Sequence, residues 1–420
     1  MNRSPLVVIF MTVFIDLVGF GIVMPVLPYY AEDPRFDASP LTLGWLFASY
    51  SIMQFIFSPI LGRLSDRHGR RPVLLLSIIG TGIGFLVMGL ANTLWVLFAG
   101  RILDGITGGN ISTAHAYVAD VTTPENRAKG MGLIGAAFGL GFIFGPAIGG
   151  VLSGWGVHVP FLFAAALSFA NAVLLYFVLP ETVTKDHPAR HSAGRSYVAL
   201  VRRLSGRTLT LVLAIYFLFV VAFSIMTTVF ALYTMYRFGY DAQQNGYLFA
   251  FIGVIAVILQ GGLIGRLAKR YGESPFVILG AALFVIGLFA LPFVGPTSGG
   301  LLALLGLLAL FACGNGMATP SLTSLASKAA GEHEQGTALG LTQSAASLAR
   351  IVGPLLGGWL IYSATAPEPL HIDDRSLRLT FWLAGALTFV ALALALRLAA
   401  TREVRDQRPE ISKSLPSTDH

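Results

Sequence analysis

Few charge-bearing side chains interrupt the long apolar stretches of this chain, and those few are where its chemistry must lie. Asp16 sits mid-way along the first apolar run, Arg101 and Asp104 lie in the fourth, and Arg350 is near the middle of the eleventh. Each costs several kcal/mol in hydrocarbon unless paired or solvated. Burial favours the neutral form of a carboxyl group, so a residue such as Asp16 can exchange a proton as a cavity opens alternately to two sides. Arg101 and Asp104 have the three-residue spacing that brings side chains together on one helix face. They read equally as a structural ion pair and as a charge relay. His115 has a suitable intrinsic pKa but also reads as a polar residue near a helix end, with Asp120 at its edge. Arg350 needs an acid or a carbonyl, and Asp16, at similar depth, is one candidate.

A second concentration of charge lies between apolar runs, at Gly62-Arg-Leu-Ser-Asp-Arg-His-Gly-Arg-Arg-Pro72. Gly62 and Gly69 permit a tight reversal. Arg63, Arg67, Arg70 and Arg71 place the stretch at a membrane surface. Asp66, alone among them, can accept charge-assisted hydrogen bonds or cap a helix start.

The elements that must hold these groups follow from composition. The 420 residues are 55% hydrophobic and 12% charged, with mean hydropathy +0.73, against about 25% charged in soluble domains. A span needs roughly 20 apolar residues. On that measure the chain has twelve, at 6–30, 42–62, 72–91, 94–119, 130–152 and 160–179, then 208–233, 245–265, 275–294, 301–327, 337–362 and 379–399. The net charge of +7 resides in the short loops between runs, which is membrane orientation and not a nucleic-acid patch. With the N-terminus inside, 22 of the 28 basic residues fall on that side, which places both termini in the cytoplasm. The first run has no evident cleavage site and reads as an uncleaved span of a cytoplasmic-membrane protein. The single cysteine, Cys313, excludes disulfides and Cys metal clusters. No metal or cofactor site is expected.

The chain repeats itself. Gly62–Pro72 aligns with Gly265-Arg-Leu-Ala-Lys-Arg-Tyr-Gly-Glu-Ser-Pro275, and Gly145-Pro-Ala-Ile-Gly-Gly150 with Gly353-Pro-Leu-Leu-Gly-Gly358. Two unrelated motifs at shifts of 203 and 208 imply two six-span halves of the same topology. Lys269, Glu273 and Ser274 stand in the second copy where the first has Asp66, Arg70 and Arg71. Ala137, Gly141, Gly145 and Gly149 strip one helix face of side chains, as do Ala345, Ala349, Gly353 and Gly357. Such faces allow close helix approach, and Pro146 and Pro354 add bends.

Six plus six spans, the loop after the second, Arg101-x-x-x-Gly105, the glycine-proline element of the fifth and Leu179-Pro-Glu-Thr182 resemble the major facilitator superfamily. Asp16 with Met24-Pro-Val-Leu-Pro28, Gly69-Arg-Arg-Pro-Val-Leu-Leu-Leu-Ser77 and Gly105-Ile-Thr-Gly108 are similar to its tetracycline–proton antiporters. The resemblance implies an all-α membrane protein: a bundle over 1–180, a basic cytoplasmic linker over 181–207, a second bundle over 208–400 and a tail over 401–420. It implies that the Gly62–Arg71 loop latches the halves together on the cytoplasmic face, through Asp66, Arg70 and Arg71. It also implies that the fifth-span element packs where the halves meet. The cavity would be lined by Phe20, Asn110, Phe223, Met226, Phe230, Phe311 and Asn315, with Gln54, Gln343 and Arg350 nearby. Those residues suit a bulky, weakly polar ligand. The chain departs from the antiporters at Gly84, Ala256 and Phe284, where they carry an acid, a histidine and an acid.

The expected activity is proton-driven export of lipophilic small molecules, powered by the proton gradient alone, by a protein with no need to be more than a monomer. Uptake of a metabolite by symport is the rival within transport. A polytopic receptor or membrane enzyme is the rival outside it, and the chain has no GxxxxGK[ST], HExxH or nucleophile elbow to support catalysis.

Overall fold

Hydrocarbon offers no partner to a peptide N–H or C=O, so each apolar run must satisfy its own backbone by coiling. A computed structural model shows that outcome. It describes residues 5–182, 207–259, 264–330, 335–364 and 372–413, and among them there is no strand beyond isolated bridges at Gly295. The first six runs form α1 (Pro5–Ala31), α2 (Pro40–His68), α3 (Arg70–Gly89), α4 (Leu94–Thr107) with α5 (Ile111–Val121), α6 (Pro124–Ser153) and α7 (Val159–Val178). The other six form α8 (Arg207–Phe238), α9 (Ala242–Ile258) with α10 (Ile264–Tyr271), α11 (Ser274–Ala290), α12 (Gly300–Ala329), α13 (Gln335–Ala364) and α14 (Asp374–Lys413). The all-α membrane architecture is as the composition requires.

Among the described residues, nine helices are long and apolar enough to cross a bilayer. The fourth run, expected as one helix, is split by a 3-10 turn over Gly108–Asn110. The fifth and eighth supply the shorter apolar helices Gly139–Ser153 and Ala242–Ile258. Residues 183–206 of the linker and 414–420 of the tail lie outside the described residues. The helix of the last span runs on to Lys413, well past residue 400, where a tail is expected.

The two sets of helices pack alike. In the first, α1 lies on α6, and α3 lies on α4 and α7; in the second, α8 lies on α13, and α11 on α12 and α14. The sets meet along α2–α13 and α6–α9. Small residues make both kinds of approach possible. A Cβ at Gly145 would come within 2.6 Å of the Gly21 Cα, and one at Gly353 within 2.4 Å of the Ser224 Cβ. Gly141 and Gly149 likewise face α1, at Leu17 and Ile22, and Gly357 faces α8. The small-residue face therefore packs inside its own half, not where the halves meet. The following glycine of each motif makes the crossing. Gly150 meets Gly246 of α9, and Gly358 meets the Pro40 carbonyl of α2. The Pro354 carbonyl also lies against Gly44, and Pro146 against both Gly21 and Gly246.

A Cβ on Gly246 would lie 2.2 Å from the Gly150 Cα, so the obstacle is backbone and cannot swing aside. Gly246→Val is expected to hold α6 and α9 apart at this end. Disulfide trapping between cysteines placed at Gly154 and Gln243, in a Cys313→Ser background, should then fall several-fold. Undiminished trapping would show that the helices close regardless.

Candidate functional site

The fourth span assembles the polar centre. Arg101 and Asp104 are 1% and 3% exposed, and pair at 3.1 Å (Nη1 to Oδ2). The Arg101 Nε donates to the Leu46 carbonyl at 3.4 Å, and its guanidinium stacks 4.6 Å from the centroid of Tyr50. Three kinds of partner therefore compensate one buried cation. Gly105 makes this approach possible, because a Cβ there would sit 2.5 Å from the Tyr50 carbonyl oxygen. Gly84 does the same for α3: a Cβ there already lies 3.1 Å from the Asp104 Cβ. That crowding leaves no room for the third-span acid of the tetracycline antiporters.

The 3-10 turn at Gly108–Asn110 interrupts the helical ladder, and α2 answers it. Gln54 Nε2 donates to the Gly108 carbonyl and to the Tyr50 hydroxyl, each at 3.0 Å. Asn110, carried on the turn, donates from Nδ2 to Asp16 Oδ2 at 3.3 Å. Asp16 Oδ1 is buried with no hydrogen-bond partner among the described residues. Phe20, one helical turn beyond Asp16, lies 5.2 Å from the Tyr50 ring and 5.7 Å from Phe142. Asp16, Gln54, Arg101, Asp104 and Asn110 are thus brought into one cluster around Tyr50. Nothing in residue spacing joins Tyr50 to Arg101 or Phe20, because those contacts are long-range.

Arg350 differs from the expectation that Asp16 would pair with it. Its Nη2 donates to Ser347 on its own helix at 3.2 Å. Phe223 is partly exposed beside Phe284, at 6.2 Å. Phe284 itself is fully buried, stacked among Phe219 and Phe311, where the antiporters carry an acid. Met226 and Phe230 are enclosed in the core, the latter against Tyr233 and Phe249, and do not line an open surface in this conformation. Asn315 accepts from Thr319 at 2.8 Å, and Gln343 is exposed. His115 pairs with the Ile111 carbonyl of its own helix, at 3.0 Å.

At the basic end the loop is shorter than its sequence suggests. Gly62 lies within α2, which continues to His68, and only Gly69 turns, at φ +102°. Arg70 then pairs with Asp66 at 2.5 Å and with Asp120 of α5 at 3.0 Å, and donates to Ser65 at 2.7 Å. Glu181 caps α3, accepting from the backbone N–H groups of Arg70 and Arg71 at 2.9 and 3.1 Å. The Arg71 side chain donates to the Tyr176 carbonyl and lies over its ring, while Arg67 is exposed. The described partners of Asp66, Arg70 and Arg71 all belong to the first half. There they brace α2, α3, α5 and the extended exit of α7. Capping falls to Glu181, not to Asp66. The second half has the corresponding brace with charges reversed: Glu273 on α11 pairs with Lys328 on α12 and accepts from Ser324 at 2.9 Å.

The described hydrogen bonds between the halves lie at the opposite end. Tyr29 hydroxyl shares a hydrogen with Thr234 at 3.3 Å, Asn245 donates to the Pro25 carbonyl at 3.4 Å, and Tyr236 donates to Glu32 at 3.2 Å. This end is closed. Glu32, directly after α1, has one oxygen buried without a donor. Burial pushes its carboxyl up to about 7, against the smaller opposing pull of the Tyr236 hydrogen bond. Proton affinity is therefore higher in the closed arrangement than in water, and protonation favours closure. That bias is full below the ordinary value of 4.5 and is lost as pH rises through about 7. An impermeant thiol reagent should accordingly label a cysteine at Met24 faster as pH rises across this interval. Glu32→Gln should flatten the profile; an unchanged profile in that variant would assign the dependence elsewhere.

Helices in two like-packed sets, a buried charge cluster inside the first and one closed end are the features of a membrane transporter. The sequence profile of the Major Facilitator Superfamily matches residues 9–354, and the chain belongs to that family. It is 36% identical to the class B tetracycline resistance protein of Escherichia coli, over 98% of this chain and 100% of that one. It is 29% identical to multidrug resistance protein 2 of Bacillus subtilis (strain 168), over 94% of this chain and 95% of the relative. Among solved structures it resembles the human organic anion transporter MFSD10 (TETRAN), at TM-score 0.69 and 25% identity, covering 94% of this chain and 100% of that one.

Proposed function

We propose that the protein is a proton-coupled exporter of bulky small molecules, resident in the cytoplasmic membrane with both termini in the cytoplasm. The observation that carries this reading is Asp16: a carboxyl group deep in α1, with one oxygen held by Asn110 and the other facing no donor. That free oxygen is the atom on which a proton would sit. The clustering of basic residues at one end supports the orientation, which puts the closed end on the far side of the membrane. The named activities of the relatives, tetracycline and multidrug resistance, support export.

The test uses everted vesicles from cells with and without the gene, energised by respiration and offered a panel of lipophilic aromatic compounds. Gene-dependent uptake into the vesicles, abolished by an uncoupler, is the expected result. Movement of a compound out of the vesicles, in the direction opposite to the expected one and still driven by the proton gradient, would establish symport instead. Transport unaffected by the uncoupler would overturn proton coupling.

A further inference from the structure

Basic residues are scarce at the closed end. Among the described residues it carries four arginines, Arg35, Arg237, Arg375 and Arg378, and no lysine. The charge bias of a spanning chain works against each of them, so each needs a local reason. Two have one: Arg35 pairs with Asp33 at 2.9 Å, and Arg237 pairs with Asp374 and donates to the Pro292 carbonyl. The other two line one open cleft of about 430 Å³, with Asp373, Asp374, Leu379 and Trp382. The acids of that cleft are engaged. Asp373 caps α14, accepting from the Ser376 N–H at 2.8 Å, and Asp374 is held by Arg237, which leaves Arg378 at 4.0 Å from it. Arg375 is exposed and pairs with no acid among the described residues. The face of α14 that carries these groups changes character along its length. About 10 Å of helix separates Arg375 from Trp382. The indole is fixed there: its Nε1 donates to the Phe289 carbonyl at 3.3 Å, and its ring lies 6.1 Å from that of Phe293. Leu379, Trp382, Phe289 and Phe293 are all exposed, as side chains facing lipid are, and the Arg378 guanidinium lies over Phe293 at 5.7 Å, between the two zones.

We propose that this cleft docks a glycerophospholipid of one net negative charge, in the leaflet at the closed end, with its phosphate on Arg375 and Arg378 and its acyl chains against Leu379 and Trp382. Arg237, Arg375 and Arg378 stand against Asp373 and Asp374, so one positive charge is left over. A guanidinium fork matches the paired oxygens of a phosphate. A zwitterionic lipid would bring an ammonium group to carboxylates that are already engaged. A water-soluble anion would leave the apolar part of the cleft without a partner. The tryptophan at the boundary suits the depth of the glycerol, since an indole favours the headgroup level of a bilayer. Because α14 packs on α8 and α11, and Arg237 of α8 reaches the same cleft, the docked lipid extends the contacts that tie these three helices at their outer ends. The proposal goes beyond the transport reading and does not depend on it.

The test uses the full-length protein with Trp382 as its sole tryptophan, the exposed Trp45, Trp95, Trp155 and Trp359 being replaced by phenylalanine. It is reconstituted in bilayers of equal phosphatidylglycerol and phosphatidylethanolamine, one or the other carrying dibrominated chains that quench a tryptophan in contact with them. Phosphatidylglycerol should quench Trp382 as though bound about fivefold more tightly, the effect of one basic side chain on an anionic lipid. Arg375→Gln with Arg378→Gln should bring the ratio to about one. Quenching of that variant in a fully dibrominated bilayer should be unchanged, which shows that its indole still faces lipid. Arg375→Lys with Arg378→Lys should keep most of the preference. A protein with Trp95 alone, which lies beside Thr42, Leu94 and Phe98 and no cation, should show none. Equal quenching of Trp382 by the two lipids, a preference that survives the glutamine pair, or the same preference at Trp95 would overturn the proposal. A preference that inorganic phosphate removes would overturn it too, by assigning the arginines to a free anion. Quenching needs no gradient and no substrate, so failure of proton-driven export in vesicles would refute the transport reading without touching this result.

Discussion

Asp16→Asn is expected to abolish proton-driven export while leaving substrate binding measurable. The substitution keeps the size of the side chain and an oxygen able to accept from Asn110, so the local geometry at 3.3 Å need not change. What it removes is the ability to gain and lose a proton. A transporter that can no longer exchange a proton for its substrate has no means of drawing on the gradient, because a ligand shifts a two-state equilibrium only through its differential affinity for the states. Energised everted vesicles should therefore accumulate substrate no better than vesicles lacking the protein. Exchange of labelled for unlabelled substrate, which needs no proton, should persist at reduced affinity. If the asparagine variant still builds a gradient of substrate, Asp16 is not the coupling acid.

Arg101→Gln is expected to have the largest effect on stability. Removing one member of a buried ion pair leaves the other charge uncompensated, at a cost of about 3–5 kcal/mol. Asp104 is 3% exposed and has Gly84 pressed against it, so water has little room to take the place of the guanidinium. The loss of the stacking on Tyr50 adds to this. Thermal unfolding in detergent should occur at a markedly lower temperature in Arg101→Gln. The double variant Arg101→Gln with Asp104→Asn, which removes both charges, should recover most of the difference. Equal stability of the single variant and the wild-type protein would mean that the pair is not what holds α4 against α2.

These two predictions draw on groups of different legibility. Arg101 and Asp104 were visible as a pair because their spacing is local, and helix geometry alone brings them together. Asp16 was visible because nothing in an apolar run explains a carboxyl. Their shared neighbour Tyr50 was not, since its contacts with Arg101 and Phe20 join residues far apart in the chain. Gly62 and Gly69 look alike at the borders of a basic stretch, but a helix that has left the hydrocarbon tolerates Arg63 and Arg67. The turn therefore waits for the glycine with positive φ. In the fifth span the glycines were evident and their partners were not. Gly149 and Gly150 are adjacent in sequence and point to different halves, and no periodicity in a single helix says which neighbour lies on which side. Arg350 demanded a partner, and only the packing shows that the chain supplies a serine.

The reversed braces at the basic end bear on how a duplicated chain avoids folding upon itself wrongly. Two sets of similar helices, synthesised one after the other, invite α3 to dock on α12 and α11 to dock on α5, since the grooves are alike. Arg70 and Glu273 occupy matching places, 203 residues apart, and Asp120 and Lys328 do so 208 apart. In the native arrangement each place finds the opposite sign, Arg70 on Asp120 and Glu273 on Lys328. In the exchanged arrangement Arg70 would meet Lys328 and Glu273 would meet Asp120, two like-charge contacts where there had been two ion pairs. Specificity of this kind comes from penalising the wrong partner as much as from rewarding the right one. The inversion gives each half an address that the other cannot read.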